Sequence, residues 1–281
     1  MSMTTRQRKR LSLGIQAAIF VIVVLVLVII IDWNAVRTSF FDIESVSPMF
    51  PDIITTGLVN TLQYTAVGFA LGLLGGTLLA LMKLSSFPVY RWLATAYIEF
   101  FRGIPAILVF LALGFGVSLA FGLNLSALQV AGSALGLVAS AYIAETLRAG
   151  LQAVPKGQVE AARALGMPAW RAMVTIQIPQ AFRIVLPPLT NEAILLTKDS
   201  SLIFVVGMAA ADSELTKFGR DGINMYGAGL TPLVIAGICY LIITVPLSIL
   251  ARRMETRSPS ASRGKKTKKA TAESPAKAGV A

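Results

Sequence analysis

Two acidic residues lie close together in an otherwise apolar stretch of the C-terminal half. Glu192 and Asp199 are seven residues apart, close to two helical turns, so on one helix both carboxylates lie on the same side. A charged group inside a membrane span is costly unless it faces the protein interior or a watered cavity. The two carboxylates, with Thr190, Asn191 and Ser200 nearby, therefore suit a positively charged ligand group such as an ammonium or a guanidinium.

A structural role for the same acids is the alternative. Lys198 or Arg148 would then neutralise Asp199 or Glu192 in an ordinary salt bridge. The sequence leaves both interpretations open, because it does not show which side chains point inward.

Two consecutive prolines, Pro187 and Pro188, come just before the acids. They remove two backbone donors and favour extended geometry at Leu186, which predicts a break in the helix. Lipid offers no partners for freed carbonyls, so such a break is tolerated only where protein or a cavity satisfies them. We therefore expect this segment to face the interior of a helix bundle.

Several kinds of chemistry lack their residues in this chain. The sequence has no histidine and a single cysteine, Cys239, which excludes His-dependent catalysis, an intrachain disulfide and the usual zinc sites. It also lacks the G-x-S-x-G motif of serine hydrolases and the G-x-x-x-x-G-K-[ST] loop that cradles nucleotide phosphates. The sequence therefore predicts no catalytic residue, no metal site and no cofactor, and places any energy source on another polypeptide.

Composition and the arrangement of apolar residues predict an all-α integral membrane protein. Of 281 residues, 55% are apolar and only 14% are charged, and the uncharged runs are as long as a bilayer demands. Glycines at intervals of four, at Gly68, Gly72 and Gly76 and again at Gly132 and Gly136, predict close helix contacts. We predict six transmembrane helices, at about residues 15–31, 54–82, 92–121, 127–151, 180–208 and 229–250.

Charged residues indicate the orientation. The net charge of +11 would also suit nucleic acid, but Lys and Arg gather beside the ends of apolar runs, which is typical of membrane topology. Both termini are predicted to be cytoplasmic, and residues 32–53 and 209–228 are predicted to be external loops. In the third span, Glu99 and Arg102 are three residues apart and are predicted to neutralise each other.

Three regions follow from this topology. Residues 1–53 hold a basic cytoplasmic start, an uncleaved signal-anchor helix and the first external loop. Residues 54–253 form the transmembrane core, and residues 254–281 are a basic tail without apolar periodicity, predicted to be disordered and cytoplasmic.

A short, Ala-rich helix is predicted at residues 159–165, inside a connecting loop at 155–168. Glu160 lies in its first turn, where the helix dipole favours an anion. Gly166 can take the left-handed conformation that ends a helix, and Pro168 cannot continue it. Such a helix suits docking into a groove on another protein, and the alternative is a plain cytoplasmic connector.

The run PKGQVEAARALG, with IPQAFRIVLPPLTNE and KDSSL behind it, resembles the coupling loop and following helix of permease subunits of ATP-binding-cassette importers, in the polar amino-acid branch. The resemblance covers about residues 54–252. It implies a multi-pass permease of the bacterial cytoplasmic (inner) membrane, with the first helix added to a five-helix core. It assigns the contact with the ATPase to Gly157, Glu160, Ala161, Ala162 and Gly166.

The resemblance also implies the partners. Two ATPase subunits, which bind ATP and Mg²⁺, would dock on the loops, and a second permease subunit, identical or paralogous, would complete the pathway. An external solute-binding protein would deliver the amino acid, whose identity the sequence does not specify. An ion-coupled secondary transporter or a channel is the alternative, and it predicts an inverted internal repeat that the two halves do not show.

Overall fold

The computed structural model describes residues 5–257, in which every regular element is helical. The predicted disordered tail lies outside this range, except for its first four residues, which continue the last helix. In residues 5–257 the α-helices are α1 (Thr5–Ile30), α2 (Trp33–Phe40), α3 (Ile43–Val46), α4 (Val59–Leu84), α5 (Pro88–Gly103), α6 (Ala106–Leu111), α7 (Val117–Phe121), α8 (Ala127–Ala153), α9 (Lys156–Ala164), α10 (Ala169–Ala172), α11 (Ile178–Asp199), α12 (Leu215–Tyr226) and α13 (Thr231–Arg257).

Four stretches of these helices are long and apolar enough to cross a membrane: Leu11–Ile30, Ile53–Leu84, Ala127–Ala153 and Thr231–Thr256. A bent pair, α5 with the segment Ala106–Phe121, makes a fifth if it is counted as one span. The prediction of an all-helical membrane protein is therefore confirmed. The predicted span at 180–208 only partly overlaps α11, which ends at Asp199 and is interrupted by polar and charged side chains.

The predicted third span is not one straight helix. Its axis turns by 103° between Gly103 and Ala106. Pro105 disfavours helical geometry at the residue before it, and Ile104 is accordingly extended, with φ −98° and ψ 146°. The prediction of a continuous helix over 92–121 was wrong because it did not weigh this proline.

The predicted ion pair next to this turn is also absent. Glu99 and Arg102 are both exposed, and they do not approach within salt-bridge distance. The Arg102 guanidinium instead lies over the Tyr142 ring of α8, 5.7 Å from its centroid. A cation–π contact between helices replaces the expected contact within one helix.

Both segments predicted as external loops contain helices. α2 begins after Asp32, whose carboxylate accepts hydrogen bonds from the backbone nitrogens of its first turn at 2.9 and 3.0 Å. Residues 209–228 hold α12, although Gly219 and Gly222 would discourage an isolated helix there. These glycines lie against the start of α13, where a Cβ at Gly222 would be 2.9 Å from the Pro232 Cβ. Tertiary packing, which local composition does not show, thus accounts for α12.

Pro187 and Pro188 do not break α11, which runs from Ile178 to Asp199 with both prolines inside it. α8 packs closely on this helix, since a Cβ at Gly150 would lie 2.0 Å from a methyl carbon of Val185. Packing against neighbours can keep a proline-containing membrane helix intact. The predicted break was therefore wrong, and the helix changes only after Asp199, into a 3-10 segment that ends at Gly207 with φ +77°.

α4 and α8 pack along two facing rows of glycine. A Cβ at Gly68, Gly72 or Gly76 would lie between 2.5 and 2.8 Å from a side-chain carbon of α8. Gly132 and Gly136 are in the same position toward α4, at 2.5 and 2.7 Å. Carbon atoms do not approach so closely without overlap, so the helix pair requires glycine at these sites. The predicted close packing is confirmed.

Gly72→Ala tests this packing. The new Cβ would meet the Ala139 Cβ at 2.7 Å, and neither carbon can rotate away, so the two helices must separate. Overpacking of this kind costs about 1–3 kcal/mol, and we expect a lower melting temperature of the purified protein in detergent. Gly237→Ala in α13 is the matched control, because a Cβ there meets nothing within 4 Å. Equal melting temperatures for the two variants would contradict the glycine requirement.

Candidate functional site

α9 is a short helix in the connection between α8 and α11. It spans Lys156–Ala164, so it begins three residues before the predicted start and Glu160 lies in the second turn rather than the first. The predicted end is confirmed. Gly166 has φ +86°, and the Met167 nitrogen donates to the Ala162 carbonyl oxygen at 3.1 Å, which closes the helix.

The residues predicted to contact an ATPase differ in exposure. Gly157, Glu160, Ala161 and Gly166 are exposed. Ala162 is only 8% exposed because it packs inward against its own chain. It is therefore a supporting residue behind the helix and not a surface contact, which corrects the prediction for this position.

Leu165 is the residue that the sequence interpretation missed. Its side chain is 90% exposed at the end of α9, and Trp170 nearby is 69% exposed. Large apolar side chains exposed together mark a surface for another protein. The prediction for this loop named only Glu160 and small residues. The position of Leu165 after the last helical turn is the signal that could have indicated its exposure.

Two glutamine side chains at the start of α11 form hydrogen bonds to the elements before it. Gln180 Nε2 donates to Gln158 Oε1 at 2.6 Å, which links α11 directly to α9. Gln177 Nε2 donates to the Leu151 carbonyl oxygen at 3.1 Å, at the end of α8. These hydrogen bonds therefore link α9 to α11 and the residue before α11 to the end of α8.

Glu145 of α8 joins this helix to α4 through an ion pair. Lys83 of α4 forms an ion pair with one of its carboxylate oxygens, and Arg148 Nη2 lies 2.6 Å from the other. Arg148 Nη1 also donates to Gln152 Oε1 at 3.0 Å. Arg148 is therefore bound to Glu145 and Gln152. It does not neutralise Glu192, so the interpretation that paired these two residues is wrong.

The two acids of α11 are both half-buried, and neither forms an ion pair within residues 5–257. Asn191 is exposed. Thr190 and Ser200 instead satisfy the backbone, because their hydroxyls donate to carbonyl oxygens of α11 at 2.9 and 2.8 Å. Glu192 and Asp199 thus lie on one helix without an ion pair, although the exposed Lys198 is next to Asp199 in the chain. The hydroxyls of Thr190 and Ser200 are used in hydrogen bonds to the backbone of α11.

A buried acid just before α12 was not found by sequence reasoning. Glu214 is fully buried and caps α12, accepting from the backbone nitrogens of Thr216 and Lys217 at 2.6 and 2.7 Å. The Tyr240 hydroxyl of α13 donates to the same carboxylate at 2.8 Å. Burial raises the pKa of Glu214 above its usual range, although these hydrogen bonds oppose the shift.

The first turns of α4 hold the segment that precedes α12. Asn60 Nδ2 donates to the Ala211 carbonyl oxygen at 2.8 Å, and the Tyr64 hydroxyl donates to the Asp212 carbonyl oxygen at 2.6 Å. Thr61 Oγ1 accepts from the Leu215 nitrogen at 3.2 Å. The hydroxyl and amide side chains of α4 therefore fix the position of α12 together with Glu214.

Helices of membrane-crossing length, half-buried acids on α11 and an exposed short helix between α8 and α11 fit a transport permease. The chain belongs to the family of binding-protein-dependent transport system inner membrane components, whose model matches residues 68–258.

Characterised relatives agree with this family. The arginine transport system permease protein ArtQ of Bacillus subtilis is 35% identical over 219 residues, which cover 78% of this chain and 98% of ArtQ. The glutamate/aspartate import permease protein GltK of Escherichia coli is 36% identical over 229 residues, with the same coverage of 78% and 98%. A crystal structure of an amino acid ABC transporter with histidines superposes with a TM-score of 0.69 at 36% identity, covering 78% of this chain and 98% of its own.

These similarities confirm the sequence-based assignment. The chain is the permease subunit of an ATP-binding-cassette amino-acid importer, a multi-pass protein of the inner membrane, and it is not itself catalytic. The ion-coupled transporter or channel left open by the sequence is excluded by membership of this family.

Glu214 gives a prediction for stability. Because its pKa is raised in the folded protein, folding favours the protonated carboxyl, and this contribution is lost as the pH rises through the folded pKa. We expect the melting temperature of the wild type to fall as the pH is raised from about 4.3, the unfolded pKa of a glutamate, to neutral pH, and that of Glu214→Gln to fall less. Glu214→Ala removes the cap of α12 and should be less stable by about 1 kcal/mol at either pH. The same pH dependence in wild type and Glu214→Gln would contradict this assignment.

Proposed function

We propose that this permease carries a cationic amino acid into the cell, and that Glu192 and Asp199 bind its positive end. The observation that supports this proposal is the pair of half-buried acids on one helix, neither of which forms an ion pair within residues 5–257. Lys198, next to Asp199 in the chain, is exposed and lies outside salt-bridge distance. Relatives of similar identity are named for arginine and for glutamate and aspartate, so similarity alone does not select the substrate. Two negative charges favour a cation at this depth.

The proposed topology has six spans and cytoplasmic termini. Five spans are the four long apolar helices and the bent pair, and α11 is the sixth. α11 is polar for a membrane helix because it lines the pathway, where water and substrate replace lipid. The basic residues at 6–10, and at Arg252 and Arg253, then lie on the cytoplasmic side with the loop at 155–168. The three regions 1–53, 54–253 and 254–281 remain our division of the chain.

The proposed coupling surface is formed by Gly157, Ala161 and Gly166 around the exposed Leu165 side chain, with Glu160 at its edge. An ATPase subunit that binds ATP and Mg²⁺ docks on this surface, and another docks on the corresponding surface of a second permease subunit. When ATP draws the ATPases together, α9 moves with them and the link between Gln158 and Gln180 passes the motion to α11. The pathway then alternates between an external solute-binding protein and the cytoplasm.

Glu192→Gln tests the substrate proposal in the assembled transporter, reconstituted in liposomes with its ATPase and binding protein. Removal of one charge-assisted contact should lower arginine or lysine uptake by roughly 10- to 100-fold, since such contacts contribute about 1.5–3 kcal/mol. Glutamine uptake, if present, should change little. Glu44→Gln, at an exposed acid of α3, is the matched control and should transport normally. An equal loss for cationic and neutral amino acids would reject the proposed role.

Leu165→Asp tests the docking surface. A charge at this apolar contact should weaken binding of the ATPase by roughly 1 kcal/mol or more. The amount of ATPase that co-purifies with the permease should therefore fall at least fivefold. Ile43→Asp places the same charge at another exposed apolar side chain, 68% exposed on α3, and should retain the ATPase. Normal ATPase retention by Leu165→Asp would show that α9 is only a connector.

A further inference from the structure

Two cavities meet beneath α9, at the ends of α4 and α8. The first has a volume of about 380 Å³ and a polar rim. The second has about 190 Å³, has an almost entirely apolar lining and continues along α4 and α11. Leu84, Leu151 and Met173 line both cavities, so the two form one continuous groove.

One face of α9 forms the polar rim. Lys156, Val159, Glu160 and Arg163 all line the first cavity, and their spacing of three and four residues places them on the same side of the helix. Leu165 is not part of this lining. The rim therefore excludes Leu165, the central residue of the surface that we assign to the ATPase, and shares only Glu160 with the edge of that surface.

The rim carries more positive than negative charge. Lys156 and Arg163 stand against Glu160, and all three side chains are exposed. Gln152 also lines the rim, and its Oε1 accepts from Arg148, which leaves its amide hydrogens free to donate into the cavity. An anion with hydroxyl groups nearby matches this mixture of donors and one acceptor.

The apolar part of the groove has no such partner groups. Leu81, Leu147, Ile178 and Phe182 line it, and Leu81 and Phe182 are 55% and 57% exposed. These side chains lie on membrane-spanning helices next to the polar rim. A soluble anion would bind at the rim and leave the apolar part of the groove, here called the trough, empty. An amphiphile would occupy both parts.

We propose that the groove binds one anionic phospholipid of the cytoplasmic leaflet, with a polyol headgroup such as that of phosphatidylglycerol. Its phosphate lies between Lys156 and Arg163, its headgroup hydroxyls reach Glu160 and Gln152, and one acyl chain occupies the trough. Basic pockets between membrane helices on the cytoplasmic side are suited to such headgroups. The site depends on the proposed cytoplasmic position of α9 and is independent of the amino acid carried.

The test uses the full-length permease, purified and delipidated in detergent without ATPase. Phosphatidylglycerol or phosphatidylcholine of equal chain length is titrated, and the lipid-bound fraction is measured by native mass spectrometry. We expect at least fivefold tighter binding of phosphatidylglycerol, as each interfacial base contributes roughly fivefold. Lys156→Gln/Arg163→Gln should reduce this preference below twofold. Arg252→Gln/Arg253→Gln removes two exposed bases at the end of α13 and should keep it.

Three results would overturn the proposal. The first is an unchanged preference in Lys156→Gln/Arg163→Gln, and the second is equal binding of the two lipids by the wild type. The third is competition by inorganic phosphate at concentrations close to those of the lipid, which would indicate an anion site without a role for the trough.

Accessibility of Gly157→Cys to a membrane-impermeant thiol reagent in inside-out vesicles tests the topology separately, in a Cys239→Ser background.

Discussion

The close approach of α4 and α8 is the constraint on which the rest of the structure depends. Glycines on each helix leave room for the side chains of the other, so the two axes come nearer than any larger residue would allow. In lipid, dispersion contacts and hydrogen bonds must hold helices together without help from water. Backbones brought this close gain many such contacts, and the ion pair from Lys83 to Glu145 joins the same two helices at one end.

The other elements are attached to this pair. α5 is joined to α8 by the Tyr97 hydroxyl, which is 3.1 Å from the Leu137 carbonyl oxygen and 2.9 Å from Ser140 Oγ. α11 packs on α8 where Gly150 admits Val185, and α12 is held on the first turns of α4. The pair therefore forms the frame on which the other helices pack. α11, with its two acids, lies between this frame and α13, and α9 is connected to its start.

Features that depend on local sequence could be predicted, and features that depend on packing could not. Long apolar runs predicted four of the spans, Gly166 predicted the end of α9, and the four-residue glycine spacing predicted the α4–α8 contact, because each follows from neighbouring residues. Pro187 was misjudged because packing by α8 outweighs the local preference of proline. The burial of Ala162, the exposure of Leu165 and the capping role of Glu214 depend on which way a side chain faces, and a single sequence does not contain that information.

The central claim is that α4 and α8 remain one rigid frame while α11 moves against it during transport. Cys239 is the only cysteine, so Cys239→Ser gives a background for paired spin labels. Labels at Leu78 and Tyr142, exposed on α4 and α8, report on the frame, and labels at Leu78 and Leu195 report on α11. In the assembled transporter, the account predicts that adding ATP leaves the first distance distribution unchanged and shifts the second. A shift in the first distribution as large as that in the second would contradict it.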